Sequence, residues 1–179
     1  MEKPRILITK EQIQKRVEAL GKEITHDYAG KTVTIIGVLK GSVVFLADLI
    51  RHINLPLFID FIEVSSYGDG TKSSGVVKII KDLSHSIEGH DVLIVEDIID
   101  TGLTMEYLLK DLRNKKPNSL KVCTFLEKPI NTKNKIEIDY KGFTIEDKFV
   151  IGYGLDHKGF MRNLDYIGYI EIEENVWKK

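Results

Sequence analysis

Two adjacent acids and a hydroxyl-rich loop give the sequence its clearest chemical signal. Glu96 and Asp97 follow the apolar run 92–95, and residues 100–104 then read Asp-Thr-Gly-x-Thr. Ionised carboxylates only accept hydrogen bonds, so these two acids suit sugar hydroxyls or the water around a metal ion. A glycine between hydroxyl residues at the start of a helix can direct several N–H and O–H groups at one phosphate. The segment therefore predicts a phosphate site with two carboxylates beside it.

The same segment also has an ordinary structural interpretation. Acids after a strand, followed by Thr-Gly, are common helix-capping chemistry, and the Asp-Thr-Gly-x-Thr pattern alone is weak. The uninterrupted apolar run and the Glu-Asp pair in front of the loop favour a ligand site. Strict pleating would send Glu96 and Asp97 to opposite faces of a sheet. We therefore predict that the strand ends at these acids, since both can then serve one ligand.

The elements that must position this segment alternate between strands and helices. Thr9 and Gln12 predict a capping box at the start of a helix that Gly30 ends. Two strand-helix-strand units follow, with strands and helices predicted at 32–38, 43–53, 57–64, 91–95, 101–114 and 120–126. Further strand-like runs lie at 76–83, 149–155 and 166–172. Strand-helix-strand units place their strands parallel, and α/β sheets bind ligands beyond the carboxyl ends of those strands.

Composition narrows the classes of partner and compartment. Lys plus Arg number 26 and Asp plus Glu 27, for a net charge of −1, so nothing indicates a nucleic-acid or membrane partner. A chain of 179 residues with 42% hydrophobic content predicts one domain. The first nine residues contain no apolar run of signal-peptide length, and no segment approaches membrane-spanning length. We therefore expect a soluble, cytoplasmic protein.

Cysteine and histidine usage gives no sign of redox or metal chemistry. The single cysteine, Cys123, lies in an apolar run, so we expect a buried packing residue and no framework disulfide. Four histidines lack metal-ligand spacing and are expected at the surface or at caps: His26, His52, His85 and His90.

Residues 92–104 resemble the phosphoribosyl pyrophosphate motif of type I phosphoribosyltransferases, in its 6-oxopurine form. The resemblance extends over nearly the whole chain and indicates bacterial-type hypoxanthine-guanine phosphoribosyltransferases of purine salvage. It implies an α/β fold with a central, mainly parallel sheet flanked by helices. It also implies one phosphoribosyltransferase domain, residues 1–179, with a small hood subdomain built from the N-terminal and C-terminal segments. The implied reaction moves the phosphoribosyl group to N9 of hypoxanthine or guanine with Mg²⁺ as cofactor, in a homodimer or homotetramer.

The resemblance also implies roles for individual residues of the central motif and the pyrophosphate loop. Asp100 is the expected general base near N7 of the purine. The ribose and its 5′-phosphate are expected to contact Glu96, Asp97, Asp100, Thr101, Gly102, Leu103 and Thr104. Pyrophosphate is expected to contact Leu39, Lys40, Gly41, Ser42 and Arg162, often with a cis peptide between the first two. Taken alone, Lys-Gly-Ser after a strand is equally an ordinary turn.

The remaining implied roles concern the lid, the base and the metal. Ser66 and Tyr67 match the loop that closes over the site, although a hairpin tip would have the same composition. The purine base is expected to contact Lys128, Phe149, Val150 and Asp156, with Lys128 donating to the 6-oxo group. Mg²⁺ is expected at Glu96, Asp97 and Asp156. Without the resemblance, Lys128 would be read as a surface lysine and Phe149 as a core residue.

One departure from the family pattern and several alternatives stay open. His157 occupies a position where relatives commonly carry an aromatic residue, which leaves guanine recognition open. A regulator that binds phosphoribosyl pyrophosphate or a nucleotide, and also RNA, is disfavoured by the near-neutral charge, by Asp100 and by Lys128. The same two residues disfavour adenine and orotate but leave xanthine possible. A nicotinamide-dependent oxidoreductase is disfavoured because no Gly-x-Gly-x-x-Gly follows a predicted strand.

Overall fold

The computed structural model describes residues 4–67, 76–128 and 136–170. In chain order the elements are β1 (Arg5–Ile8), α1 (Lys10–Asp27), β2 (Val33–Leu39), α2 (Val43–Leu49), a 3₁₀ turn (Ile50–His52), β3 (Leu57–Tyr67), β4 (Val76–Lys81), β5 (Asp91–Ile99), α3 (Leu103–Asn114), β6 (Ser119–Glu127), β7 (Tyr140–Thr144), β8 (Val150–Ile151) and β9 (Ile167–Tyr169).

The main sheet has the strand order β4-β3-β2-β5-β6-β7. Neighbouring strands in it are parallel except for β4, which is antiparallel to β3. The two predicted strand-helix-strand units are confirmed as β2-α2-β3 and β5-α3-β6. Because β2, β5 and β6 are adjacent and parallel, the segments that follow them meet at one edge of the sheet.

The capping box at the start of α1 is confirmed. The Gln12 backbone N–H donates to Thr9 Oγ1 at 3.3 Å, and the Thr9 N–H donates to Gln12 Oε1 at 2.8 Å. The apolar face behind this cap is buried, at Ile13, Val17, Leu20 and Ile24. Gly30 follows the helix with φ 77°, a conformation that glycine adopts at little cost.

Two apolar layers cover the main sheet, one on each face. The first layer packs α1 and α2 on the sheet around residues that include Leu20, Phe45 and Phe125. The second packs α3 on the opposite face through Met105, Leu108 and Leu112. Cys123 is fully buried in the first layer, as predicted. The strands are thereby fixed at mid-length, so the loops at their carboxyl ends stand on a rigid base.

Several boundaries differ from the sequence prediction. The prediction that the strand ends at Glu96 and Asp97 is wrong: β5 continues to Ile99, because it keeps pairing with β6 up to Ile99 and Glu127. The helix predicted at 43–53 is a shorter α-helix followed by a 3₁₀ turn. Strands β1 and β7 were not predicted.

A second, small sheet joins the two ends of the chain. Its order is β1-β9-β8, and both pairings are antiparallel. Lys10, just after β1, lies 3.0 Å from Asp165, just before β9, measured from Nζ to Oδ2. In the part of the chain that the structure describes, no helix is long and apolar enough to cross a membrane.

Candidate active site

The two acids at the end of β5 lie together although the strand does not stop there. The Asp97 N–H donates to Glu96 Oε1 at 3.0 Å, so the Glu96 side chain turns along its own strand toward the next residue, Asp97. Glu96 is only 7% exposed. Burial, then the neighbouring Asp97 carboxylate, raises the pKa of Glu96 well above its ordinary value. This local hydrogen bond therefore brings the two acids together, although strict pleating would place their side chains on opposite faces of the sheet.

The loop after β2 packs directly on these acids. A Cβ atom added to Gly41 would overlap Asp97 Oδ2, so only glycine lets this backbone approach the carboxylate. The peptide bond between Leu39 and Lys40 is cis. The Ser42 hydroxyl donates to the Val38 carbonyl at 2.6 Å and is therefore engaged within the chain. Lys40 Nζ lies 3.7 Å from Glu63 Oε1.

The start of α3 supplies the third side of the site. Gly102 precedes the helix with φ 79°, and its carbonyl accepts from Glu106 N–H at 2.9 Å. Leu103 and Thr104 form the first turn, while Asp100 and Thr101 are exposed in the loop before it. A helix start offers N–H groups without helical partners and the positive end of the helix dipole. This geometry suits a phosphate group.

Lys128 follows β6 and points toward Asp100. Its Nζ lies 3.3 Å from Asp100 Oδ2 and 3.1 Å from Asp147 Oδ1, and its side chain is only 11% exposed. The Lys128 N–H donates to the Ile99 carbonyl at 2.9 Å, which ties the end of β6 to the end of β5. The lysine is therefore a partly buried group within the site and not a surface residue.

Phe149 and Val150 stand at the start of β8. Val150 is buried, whereas Phe149 is 40% exposed and so is not the core residue that composition alone would suggest. The Phe149 ring meets the His157 ring edge to face, with centroids 5.4 Å apart and an interplanar angle of 87°. An exposed ring face held by a second ring can stack on a planar ligand.

Asp156 and Arg162 lie on one turn between β8 and β9. Arg162 Nη2 lies 2.6 Å from Asp156 Oδ1, and Arg162 Nη1 donates to the Gly154 carbonyl at 2.6 Å. A Cβ atom on Gly154, whose φ is 101°, would overlap the Gly41 carbonyl oxygen. The turn that carries both charged residues therefore touches the loop after β2.

The lid prediction falls mostly outside the described residues. The backbone of Ser66 and Tyr67 forms the end of β3 and pairs with β4. Residues 68–75, which complete the predicted lid, are not among those that the structure describes.

Two residues of the site were missed by sequence reasoning. Asp147 had no signal, because an exposed acid in a polar loop is ordinary. Gly154 could have been found from the Gly-Tyr-Gly spacing that precedes Asp156, which is unusual in a buried strand-like run.

Comparisons with known proteins agree on one family. Residues 7–158 match the family model described as the phosphoribosyl transferase domain. The chain is 52% identical over 167 residues to hypoxanthine-guanine phosphoribosyltransferase of Bacillus subtilis (strain 168), which covers 93% of each protein. It superposes on the crystal structure of a hypoxanthine-guanine phosphoribosyltransferase from Bacillus anthracis with a TM-score of 0.90 and 45% identity, covering 95% of this chain and 100% of that one.

A Staphylococcus aureus hypoxanthine phosphoribosyltransferase gives a TM-score of 0.89 at 49% identity, covering 93% of this chain and 91% of the other. These three relatives each match more than nine-tenths of the chain. The chain therefore belongs to the phosphoribosyltransferase family and has the fold of its type I members.

Proposed function

We propose that the protein transfers the 5-phosphoribosyl group of phosphoribosyl pyrophosphate to N9 of a 6-oxopurine, hypoxanthine or guanine. The products are IMP or GMP and pyrophosphate, and the reaction serves purine salvage. The relatives reported above carry this activity in their names.

One observation carries the proposal: an acid and an ammonium group lie side by side at the end of the central strands. Lys128 Nζ is 3.3 Å from Asp100 Oδ2. N7 and O6 of a 6-oxopurine lie on one edge of the base, as the major-groove face of guanine shows. Lys128 donates to O6, and Asp100 accepts the proton that N7 loses as N9 bonds to C1′. A lysine cannot accept from the amino group of adenine, so the pair favours an oxo group.

The other residues would bind the phosphoribosyl donor. Glu96 and Asp97 accept from the ribose hydroxyls, and residues 100–104 bind the 5′-phosphate through the start of α3. The loop 39–42 binds pyrophosphate through its backbone. Arg162 binds it through a planar guanidinium that suits phosphate oxygens. Phe149 stacks on the base and the Val150 backbone meets its edge.

Mg²⁺ fits the acidic groups of this site. Among residues 4–67, 76–128 and 136–170, no three acids, cysteines or histidines form a complete metal site. Mg²⁺ is commonly held by one or two carboxylates together with substrate phosphates and water, which is what Glu96, Asp97 and Asp156 can offer. The bound ion would neutralise charge on the pyrophosphate leaving group.

Domain organisation, assembly and location complete the proposal. The chain forms a single phosphoribosyltransferase domain, and the small sheet β1-β9-β8, built from both chain ends, is its hood. The protein works as a homodimer or homotetramer with small-molecule substrates and without nucleic acid. We place it in the cytoplasm, because a highly charged phosphoribosyl donor does not cross a lipid bilayer unaided.

The test incubates the protein with phosphoribosyl pyrophosphate, Mg²⁺ and each of hypoxanthine, guanine, xanthine, adenine and uracil. We expect nucleotide formation from an oxopurine. Asp100→Asn should lower kcat by about 10²–10⁴-fold, the usual contribution of a general base. Glu18→Gln, which removes an exposed acid paired with Lys22 on α1, outside the residues proposed to bind substrate, should leave kcat unchanged. If no base reacts while phosphoribosyl pyrophosphate still binds, the protein is a ligand-binding regulator.

A further inference from the structure

Lys128 has two carboxylate partners, and the proposed reaction uses only one of them. Its Nζ lies 3.3 Å from Asp100 Oδ2 and 3.1 Å from Asp147 Oδ1. Asp100 has a role as the base. Asp147 has no role in the proposed reaction, although it makes the shorter of the two contacts. Its side chain is 91% exposed.

The loop that carries Asp147 is fixed to the strand that carries Lys128. Ile145 is buried, and its N–H donates to the Glu127 carbonyl at 2.9 Å, at the end of β6. On the other side of Asp147, Phe149 and Val150 lead into β8. Asp147 therefore lies between an anchored residue and the two residues proposed to meet the base.

Hydrogen-bond counting shows what the pair of acids does to the lysine. An ammonium group has three N–H donors and a flexible four-carbon stem. Within the described part of the chain, the two carboxylates each accept one donor. One donor is left for a ligand, and its direction is set by the other two. A lysine bound to Asp100 alone could rotate its two free donors away from the base.

With Asp147 present, orienting Lys128 does not depend on Asp100, which has to accept a proton during the reaction. As Asp100 takes up the N7 proton, its negative charge and its hold on the ammonium weaken. Asp147 takes no part in the proton transfer, so its contact with Lys128 holds the ammonium group in place while the base reacts. We propose that Asp147 is a positioning and specificity residue, which holds the ammonium of Lys128 in the direction that reads the 6-oxo group.

The inference rests on the proposed function, and its test compares two neighbouring acids. Asp147→Asn removes the charge at Lys128 with little change in size. Glu146→Gln is the matched control, because Glu146 is also exposed, at 80%, but pairs with Lys148 at 2.8 Å. We expect Asp147→Asn to raise KM for hypoxanthine about fivefold, the upper range for a partly exposed ion pair. KM for phosphoribosyl pyrophosphate should stay unchanged, and Glu146→Gln should change neither value.

Two further measurements separate positioning from general structural damage. Unsubstituted purine, which lacks the 6-oxo group, should inhibit wild type and Asp147→Asn with the same inhibition constant. In a Lys128→Met background, Asp147→Asn should cause no further rise in KM for hypoxanthine. If Lys128→Met does not fold, the comparison of hypoxanthine with purine still tests whether Asp147 acts on recognition of the 6-oxo group.

The outcomes also keep this inference apart from the proposed function. If wild type forms no nucleotide from any oxopurine, the proposed function fails. If wild type is active and Asp147→Asn leaves KM for hypoxanthine unchanged or lowers it, Asp147 does not position Lys128. An equal weakening of hypoxanthine and purine would overturn the specificity role as well.

Discussion

At the residue scale, Glu96 is a carboxyl group largely removed from water. It is 7% exposed, and its carboxyl group lies beside that of Asp97. Burial first, and the neighbouring charge second, raise its pKa. Without a cation to balance the pair, ionising Glu96 is unfavourable in the folded protein.

This burial predicts how stability depends on pH. The pKa of Glu96 is higher in the folded than in the unfolded chain. The stabilisation from its neutral form is therefore complete below the unfolded-state value and is lost as pH rises through the folded-state value. We expect Glu96→Gln, which stays neutral, to unfold with a free energy at least about 1 kcal/mol above wild type at pH 8, the scale of a buried unsatisfied group. The difference should shrink toward pH 4.

The measurement is urea denaturation in EDTA, without substrate, from pH 4 to pH 8. Glu88→Gln removes an exposed carboxylate and serves as the control, for which we expect no such trend. A stability difference between Glu96→Gln and wild type that is constant across this range would contradict the assignment.

At the element scale, the loop after β2 and the end of β5 are packed too closely for any side chain between them. A Cβ atom on Gly41 would overlap Asp97 Oδ2, so Gly41→Ala must displace the carboxylate or the loop. Both are proposed to bind the phosphoribosyl donor. We expect kcat/KM for phosphoribosyl pyrophosphate to fall about 100-fold, as for other misplacements of about 1 Å in a site.

Gly89→Ala is the matched control for Gly41→Ala. Gly89 has φ 75°, and a Cβ atom there would meet nothing within 4 Å, so the substitution should cost only backbone strain, about 1–2 kcal/mol. It lies before β5, at the opposite end of the strand from the acids. Thermal unfolding and steady-state kinetics of both variants separate lost stability from lost geometry. Equal kcat/KM losses in the two variants would show that the Gly41 contact is not specific.

A helix or strand can be predicted from sequence when its buried residues recur at the regular spacing of that element. The helix α1 and the strands β2, β5 and β6 carry continuous or periodic apolar residues, and all were predicted. The four-residue strand β1 and the five-residue strand β7 are partly exposed and irregular in pattern, so neither showed a period. The continuation of β5 past Glu96 depends on pairing with β6, which no local pattern contains.

At the scale of the whole molecule, the candidate site is assembled from segments far apart in sequence. The loop 39–42, the end of β5, Lys128 and the turn with Arg162 meet only because parallel strands end at one edge and the chain returns after β7. The residue types of the loop 100–104 were enough to predict a phosphate site from sequence alone. Lys128, Asp156 and Arg162 were predicted only from the resemblance to the family. Asp147 could not be found, because its contact with Lys128 spans 19 positions.

An assembled site of this kind should make the fold more stable when its ligand is bound. A ligand that binds only the folded chain, at 100 times its Kd, adds about 2.7 kcal/mol to the free energy of unfolding. For a domain of this size, that corresponds to a rise in Tm of roughly 5–10 °C. We expect this rise with phosphoribosyl pyrophosphate and Mg²⁺, measured by differential scanning calorimetry.

Removal of Mg²⁺ should abolish most of the rise in Tm that phosphoribosyl pyrophosphate causes. In EDTA, the carboxylates of Asp97 and Asp156 would face the pyrophosphate without a cation between them, and like charges repel in a partly buried site. Ribose 5-phosphate is the matched control, because it reaches the 5′-phosphate loop but carries no pyrophosphate, so its smaller rise in Tm should be the same with Mg²⁺ or EDTA. An equal rise for phosphoribosyl pyrophosphate under both conditions would mean that the acids do not act through a metal. The donor would then be held by the loop 39–42, the start of α3 and Arg162 alone.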